Sequence, residues 1–318
     1  MRRSDNSLAA VLLVSRLVDE GVAPLKASEY RKLCSEFGEP ASLLGQSATE
    51  LASRGAEPSL AERIVLLLDR AVGVAFELDR YQESGIWTIT EHDDTYPQHL
   101  RERLETKAPV VLHGSGSPDI LDRAGIGVVG SRAVSEEGAE VAREAATRAA
   151  ALGIPLVSGG ARGVDQIAMN TAYQAGGSVV AVLADALTKT IGRTDVRQAL
   201  LDDSTVMCTP YGPEAGFSVG NAMGRNKIIY GLATVTLVVA SDHDSGGTWA
   251  GATEALRHGF GRVVVWNGPG EGPGNAALIE RGGIAITDVG LLDAIIDQAE
   301  VPIEEPPEVV QPSLFSDS

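Results

Sequence analysis

Three glycine-punctuated clusters hold the residues whose types and spacing could do chemistry: Gly130-Ser131-Arg132, Ser158-Gly159-Gly160-Ala161-Arg162-Gly163-Val164-Asp165, and Gly224-Arg225-Asn226-Lys227. The first two directly follow short apolar runs, Ile126 to Val129 and Pro155 to Val157, and each precedes a helix-like segment. Glycine lets backbone N–H groups approach an anion closely, and the N-terminus of the following helix adds a favourable dipole. An arginine beside each turn supplies a fixed cation whose fork of donors suits phosphate oxygens. The chemistry indicated is phosphate recognition by Gly130, Ser131, Arg132, Ser158, Gly159, Gly160 and Arg162, in a crevice at the C-terminal ends of the strands. Arg225, Asn226 and Lys227 open a further apolar segment, Ile228 to Leu232. Two cations flanking an amide can contact neighbouring phosphates or sugar hydroxyls. Ser245-Gly246-Gly247-Thr248 lies between a strand and a helix and forms another anion cradle, with Thr248 able to cap the helix or touch phosphate.

Plainer roles compete with these. Asp165 opens a helix, and capping that helix or holding Arg162 is its expected work. Glu254 reads first as a solvated helical carboxylate and second as a catalytic or ribose-binding acid. Asp242-His243-Asp244 invites a metal, but three consecutive side chains cannot all face one ion without an unusual loop, so no metal is expected. The string Gly125, Gly127, Gly130 imitates a dinucleotide fingerprint, yet the strand lies inside the pattern rather than before it; no nicotinamide or flavin cofactor is expected. Tyr211 and Phe217 are the nearest aromatics for stacking on a base, and core packing is the expected use of both.

Six β segments alternate with helical ones: Ile126 to Val129, Pro155 to Ser158, Ser178 to Leu183, Thr205 to Thr209, Thr234 to Ala240 and Arg262 to Trp266. The helices between them are expected at Glu136 to Leu152, Val164 to Gln174, Asp195 to Leu201, Asn221 to Tyr230 and Thr248 to His258. This alternation predicts an α/β protein with a doubly wound, mostly parallel sheet. Before it, Leu8 to Val18, Tyr30 to Phe37 and Leu60 to Val72 read as a small helical bundle over residues 1–75, a scaffold or a DNA- or partner-binding module. Two strand-like runs, Ile86 to Thr90 and Pro109 to His113, introduce the main domain, 76–298. Residues 299–318, acidic and proline-rich at first, read as a disordered tail.

The chain has 318 residues, 44% of them apolar, enough for one large α/β domain and a smaller one. Two cysteines without metal or Cys-x-x-Cys spacing, and no membrane-length apolar run, point to a reduced cytoplasm. A net charge of −17 weighs against nucleic acid as a partner. The excess is uneven, however: Gly125 to Ala240 holds nine Lys/Arg against ten Asp/Glu, while residues 300–318 hold five acids and no base. A local basic pocket on an acidic protein is therefore compatible with the composition.

In this order the clusters resemble the DprA/Smf family of DNA-processing proteins over residues 78–296. The segments Gly85-Ile86 to Tyr96-Pro97, Leu100-Arg101, Gly274-Asn275, Leu278-Ile279 and Gly282 add to the resemblance. It implies an extended Rossmann-like domain that binds single-stranded DNA and helps load the RecA recombinase in recombination or transformation, a homodimer, and no catalysis. It also implies that Arg132, Arg162, Arg225 and Lys227 line the DNA pocket. The chain departs from the family in carrying Ala222-Met223-Gly224 where a further basic residue is usual, and in having no room for a terminal winged helix. Gln311, Leu314 and Phe315 in the tail resemble a sliding-clamp-binding peptide. Met223, Arg225, Gly246-Gly247-Thr248 and Glu254 also resemble the LOG-type phosphoribohydrolases, in which Arg225 would grip a nucleoside monophosphate and Glu254 support chemistry at the ribose. A nucleotide-sensing module, of the kind used in defence against phage, is the third reading.

Overall fold

The computed structural model describes residues 3–18 and 21–300. Five helices come first: α1 (Asp5–Val14), α2 (Ala27–Phe37), α3 (Ala48–Ser53), α4 (Pro58–Leu68) and α5 (Ala71–Glu83). Ala9 to Leu13 of α1 are all fully buried, because this helix is apolar around its whole circumference and the others wrap it. The N-cap Ser4 accepts a hydrogen bond from the Ser7 N–H at 3.1 Å and sets where the helix starts. The expected boundary at residue 75 falls inside α5, and the bundle's core continues into Val110 and Val111 at the edge of the sheet.

The remaining elements are β1 (Trp87–Thr90), α6 (Gln98–Leu104), β2 (Val111–Gly116), β3 (Gly125–Val129), α7 (Glu136–Ala151), β4 (Leu156–Ser158), α8 (Val164–Gln174) and β5 (Val179–Val182). They continue as α9 (Leu187–Ile191), α10 (Thr194–Leu201), β6 (Thr205–Thr209), α11 (Val219–Leu232), β7 (Ala233–Val238), α12 (Gly246–His258), β8 (Arg262–Trp266), α13 (Asn275–Glu280), β9 (Ile284–Ile286) and α14 (Leu291–Glu300). All nine strands form one sheet in the order β1-β2-β6-β5-β4-β3-β7-β8-β9. The run from β6 to β9 is parallel; β2 joins β6 antiparallel and β1 joins β2 antiparallel. The doubly wound, mostly parallel sheet read from the alternation is thus present, with three strands added at its edges.

Both faces are covered. Ile126 and Val128 of β3 with Val235 and Leu237 of β7 face α7, α8 and α14, whereas Val129 and Val238 face α11 and α12. The α7–α8 seam is built from small residues, Ala142, Ala145, Ala146 and Ala149 against Ala168 and Ala172, which bring the two helices close. From β3 the chain winds outward through β4, β5 and β6, then returns to β7 on the other side of β3. The C-terminal ends of β3 and β7 therefore flank the topological switch point, where an open parallel sheet leaves a crevice.

No helix of the described residues is long and apolar enough to cross a membrane. Gln311, Leu314 and Phe315, with the rest of the expected tail beyond residue 300, lie outside the described residues.

Asn275 braces the sheet beyond the switch point. Its fully buried amide donates to the carbonyls of Val239 (2.9 Å) and Trp266 (2.7 Å) and accepts from the Ser241 N–H (2.9 Å), joining the ends of β7 and β8 to α13. Asn275→Ala would strand three buried backbone groups, each costing about 1–3 kcal/mol. We expect a loss of about 3 kcal/mol or more in unfolding free energy by urea titration, with the fold retained.

Candidate anion-binding crevice

The loops that follow β3 and β4 interlock. The Val164 N–H donates to the Ser131 carbonyl at 3.3 Å. A Cβ on Gly130 would lie 2.6 Å from Val164 Cγ2, and one on Gly163, whose φ is 83°, would lie 2.8 Å from Arg132 Cα. A Cβ on Gly159 would strike the guanidinium of Arg225. Gly130 and Gly159, read as openings for an anion, thus serve loop-to-loop and loop-to-arginine packing, as does Gly163. Gly160 is different: its φ is 70° and nothing crowds it closer than 3.8 Å, so a turn alone requires it.

Arg225 reaches this point from α11. It is 6% exposed, and its Nε and Nη1 have no hydrogen-bond partner among the described residues. Burial lowers its affinity for the proton, opposed chiefly by the charge of Asp165. Asp165, buried in the first turn of α8, accepts hydrogen bonds from the N–H groups of Gly159 (3.2 Å) and Ala161 (3.4 Å). Burial pushes its carboxyl up to about 6, against the opposing pull of Arg225 and the loop amides. The expectation that Asp165 holds Arg162 is corrected: its carboxylate organises the loop and faces Arg225. Two buried donors without acceptors cost about 1–3 kcal/mol each, so an anion entering the crevice would offset a standing penalty.

Two cavities meet here. One, of about 490 Å³ at the switch point, is lined by Gly130 to Ala133, Arg225 and the start of α12 from Ser245 to Thr248. The first N–H groups of that 13-residue helix have no partner in the preceding turn, and Ser245 makes no side-chain cap. The other, of about 730 Å³, extends from the β4 loop along the ends of β5 and β6. Arg132, Ala161 and Arg225 line both, and Arg162 lines the larger. Arg132 and Arg162 are exposed, and neither makes an ion pair or hydrogen bond among the described residues.

Other residues singled out from the sequence lie elsewhere or are engaged. Lys227 lines neither cavity; it is half-buried and senses Glu254, Lys107 and Arg31. Glu254 is likewise absent from both linings, which parts it from Arg225. Ser158 is fully buried and donates to the Val128 carbonyl at 2.7 Å. The Asn226 amide lines the smaller cavity but donates to the Gly247 carbonyl at 2.9 Å, tying α11 to the first turn of α12. Ser131 accepts from the Ala133 N–H at 3.1 Å. Phe217 does not pack in the core: it is 58% exposed at the lip of the larger cavity, whereas Tyr211 is half-buried and donates to the Asn221 carbonyl at 2.9 Å. Asp185, on the larger cavity, had escaped notice. Its signal was its place in the loop after β5, as the first polar residue past the apolar run that ends at Ala184.

Comparison with known proteins agrees with this architecture. The family model described as DNA recombination-mediator protein A matches residues 87–293. The DNA processing protein DprA of Streptococcus pneumoniae is 33% identical over 155 residues, 48% of this chain and 54% of that protein. Protein Smf of Escherichia coli is 30% identical over 233 residues, 72% of this chain and 60% of that protein. The matches thus span little more than half the length of these relatives. Among solved structures, DprA from Streptococcus pneumoniae superposes with a TM-score of 0.69 at 24% identity, covering 92% of this chain and 98% of that one. A DNA processing protein A from Helicobacter pylori, described for its single-stranded DNA binding mode, gives 0.55 at 19% identity over 67% of this chain and 96% of that one. Both share the fold.

Asp165 gives the crevice a pH signature. Its folded carboxyl holds a proton more tightly than the unfolded one, so this contribution to stability is full below the usual carboxylate range and lost as pH rises through about 6. A shift of this size corresponds to roughly 3 kcal/mol across the window. Denaturant titrations between pH 3.5 and 7 should show wild type losing stability relative to Asp165→Asn as pH rises; parallel curves would contradict the assignment.

Proposed function

The chain belongs to the DNA recombination-mediator protein A family, and from that premise we propose that its crevice binds single-stranded DNA through the sugar–phosphate backbone. The observation that carries the reading is Arg225: a guanidinium buried where two cavities meet, with two donors unsatisfied among the described residues, beside Arg132 and Arg162, which have no partner among those residues either. A guanidinium offers a planar fork of donors to phosphate oxygens, and the N-terminus of α12 adds a second donor group across the smaller cavity. The Streptococcus pneumoniae relative is named a DNA processing protein, and one protein of the same fold is described for its single-stranded DNA binding mode.

The strand so held would be handed to a RecA-type recombinase, in keeping with the family's description as a recombination mediator, and the working form would be a homodimer. The role is binding rather than catalysis. The wall that both cavities share is made by the phosphate donors Arg132 and Arg225, and Glu254, the acid that a ribose hydrolase would need beside Arg225, stands outside both cavities.

An acidic protein can do this because the phosphates meet local charge, not the net of −17. Distant carboxylates are screened within about 10 Å at ordinary salt. Three arginines with no ion-pair partner neutralise few phosphates, so affinity should be modest. Each phosphate neutralised on a single strand contributes a slope of about −0.7 to log K against log salt. For an oligothymidylate we expect a slope of about −2, with Arg132→Ala and Arg162→Ala each flattening it by about 0.7. Lys227→Ala should leave it unchanged, since that ammonium lies outside the cavities. Salt-independent affinity would overturn the backbone reading.

A further inference from the structure

The larger cavity has a chemistry that phosphate binding leaves unused. Its floor is apolar, made by Ala181 and Leu183 from the end of β5, Met207 from β6 and Met169 from α8. At its mouth stands Asp185, three residues past the end of β5. This carboxylate is exposed and makes no hydrogen bond or ion pair among the described residues. The cavity's other carboxylate, Asp195, is taken up by Arg193 at 2.6 Å. Asp185 is also near enough to Arg225 for its charge to favour the cationic guanidinium. It therefore stands beside the wall on which the proposed function places the backbone.

Arg225 and Arg132 line the same cavity as that floor, so a nucleotide whose phosphate sits on the two arginines can turn its base towards it. A cavity of about 730 Å³ has room for it. The apolar floor takes the ring, and in single strands the Watson–Crick edge is free to be read. Against that edge Asp185 offers oxygen acceptors and no donor. Among the four bases only guanine presents two adjacent donors, N1–H and the N2 amine, to match two carboxylate oxygens. Adenine and cytosine offer one amine beside a ring acceptor, and thymine one imide N–H between two carbonyls that a carboxylate repels. With a thymine in the cavity, Asp185 would only weaken the hold on nearby phosphates; with guanine it becomes a bidentate partner.

We propose that Asp185 reads the Watson–Crick edge of a base seated in the larger cavity and makes this protein prefer guanine in single-stranded DNA. The inference depends on the backbone reading above, and the experiment separates the two. The full chain is titrated by fluorescence anisotropy with an all-thymidine pentamer and with the same pentamer carrying guanine, adenine or cytosine at its centre, each at two salt concentrations.

Guanine should bind about tenfold more tightly than thymine, with adenine and cytosine between them. Asp185→Ala should bring all four pentamers within about twofold of one another while leaving the all-thymidine pentamer bound at least as well as by wild type. Asp185→Asn, with one donor and one acceptor, should move the preference from guanine towards adenine or cytosine. The proposal is overturned by equal binding of the four pentamers to wild type, by a guanine preference that survives in Asp185→Ala, or by Asp185→Ala tightening all four by the same factor, which would mean that the carboxylate merely repels phosphate. Equal but salt-dependent binding removes the role of Asp185 alone. Salt-independent binding of all four removes the backbone reading as well.

Discussion

A guanidinium buried against a loop that has no side chain to offer is the constraint on which the crevice depends. Arg225 can occupy its place only because Gly159 lacks a Cβ, and its charge is tolerated there because the Asp165 carboxylate faces it from the first turn of α8. Asp165 in turn is held by the N–H groups of Gly159 and Ala161. Loop, carboxylate and arginine thus form a closed set in which each member fixes the next. A buried charge attracted by Asp165 and Asp185 but with no direct hydrogen bond to either among the described residues is a poor stabilising device, since desolvation opposes the attraction. Such an arrangement makes physical sense as a site held open for an anion, where its deficit is made good on binding.

The fold supplies the rest by topology. Because β3 is the first strand of the winding and β7 the first after the return, the helices that follow them leave on opposite sides, and the ends of the two strands are not roofed. Arg132 comes from the loop after β3, Arg162 from the loop after β4, Arg225 from α11 and the amides of Ser245 to Thr248 from the start of α12. These groups are far apart in the chain and share only their position at the C-terminal edge of one sheet. The helical bundle packs against β1 and β2, and through Tyr81 of α5 against Ala181, Leu183 and Met207, but none of its residues lines either cavity.

Much of this was legible in the sequence, and the failures have identifiable causes. Buried parallel strands appear as short β-branched runs ended by glycine or polar residues, so Thr205–Thr209, Arg262–Trp266 and the helix Val164–Gln174 fall where the pattern places them. β9 is three residues long, and α9 five, too short for a period to show. The boundary expected at residue 75 falls inside α5, which runs through it without a breaker strong enough to stop it. Within the site, the arginines after β3 and β4 were recognisable from neighbouring glycines, but the partner of Asp165 was not, since α11 returns some sixty positions later. Lys227 was within reach of sequence reasoning: once Arg225 is placed on a helix, a residue two positions on lies about 200° around the axis and must face elsewhere.

The two cavities bear on whether a polymer or a small nucleotide suits the crevice. A mononucleotide needs one phosphate site and one base site, and the smaller cavity with the start of α12 would provide the first alone. Here the cationic wall of Arg132 and Arg225 is shared by two spaces of roughly 490 and 730 Å³, each large enough for a nucleoside unit. A phosphodiester is the group that carries one charge between two such units, and a wall with donors on both sides is the surface that matches it. The exposed Phe217 at the outer lip continues the same logic, as a face on which a further base can stack without being enclosed. The weakness of the crevice, a small number of cations on an acidic protein, then becomes a property suited to its proposed work: a strand held by few phosphates can be passed to a partner that holds it by many.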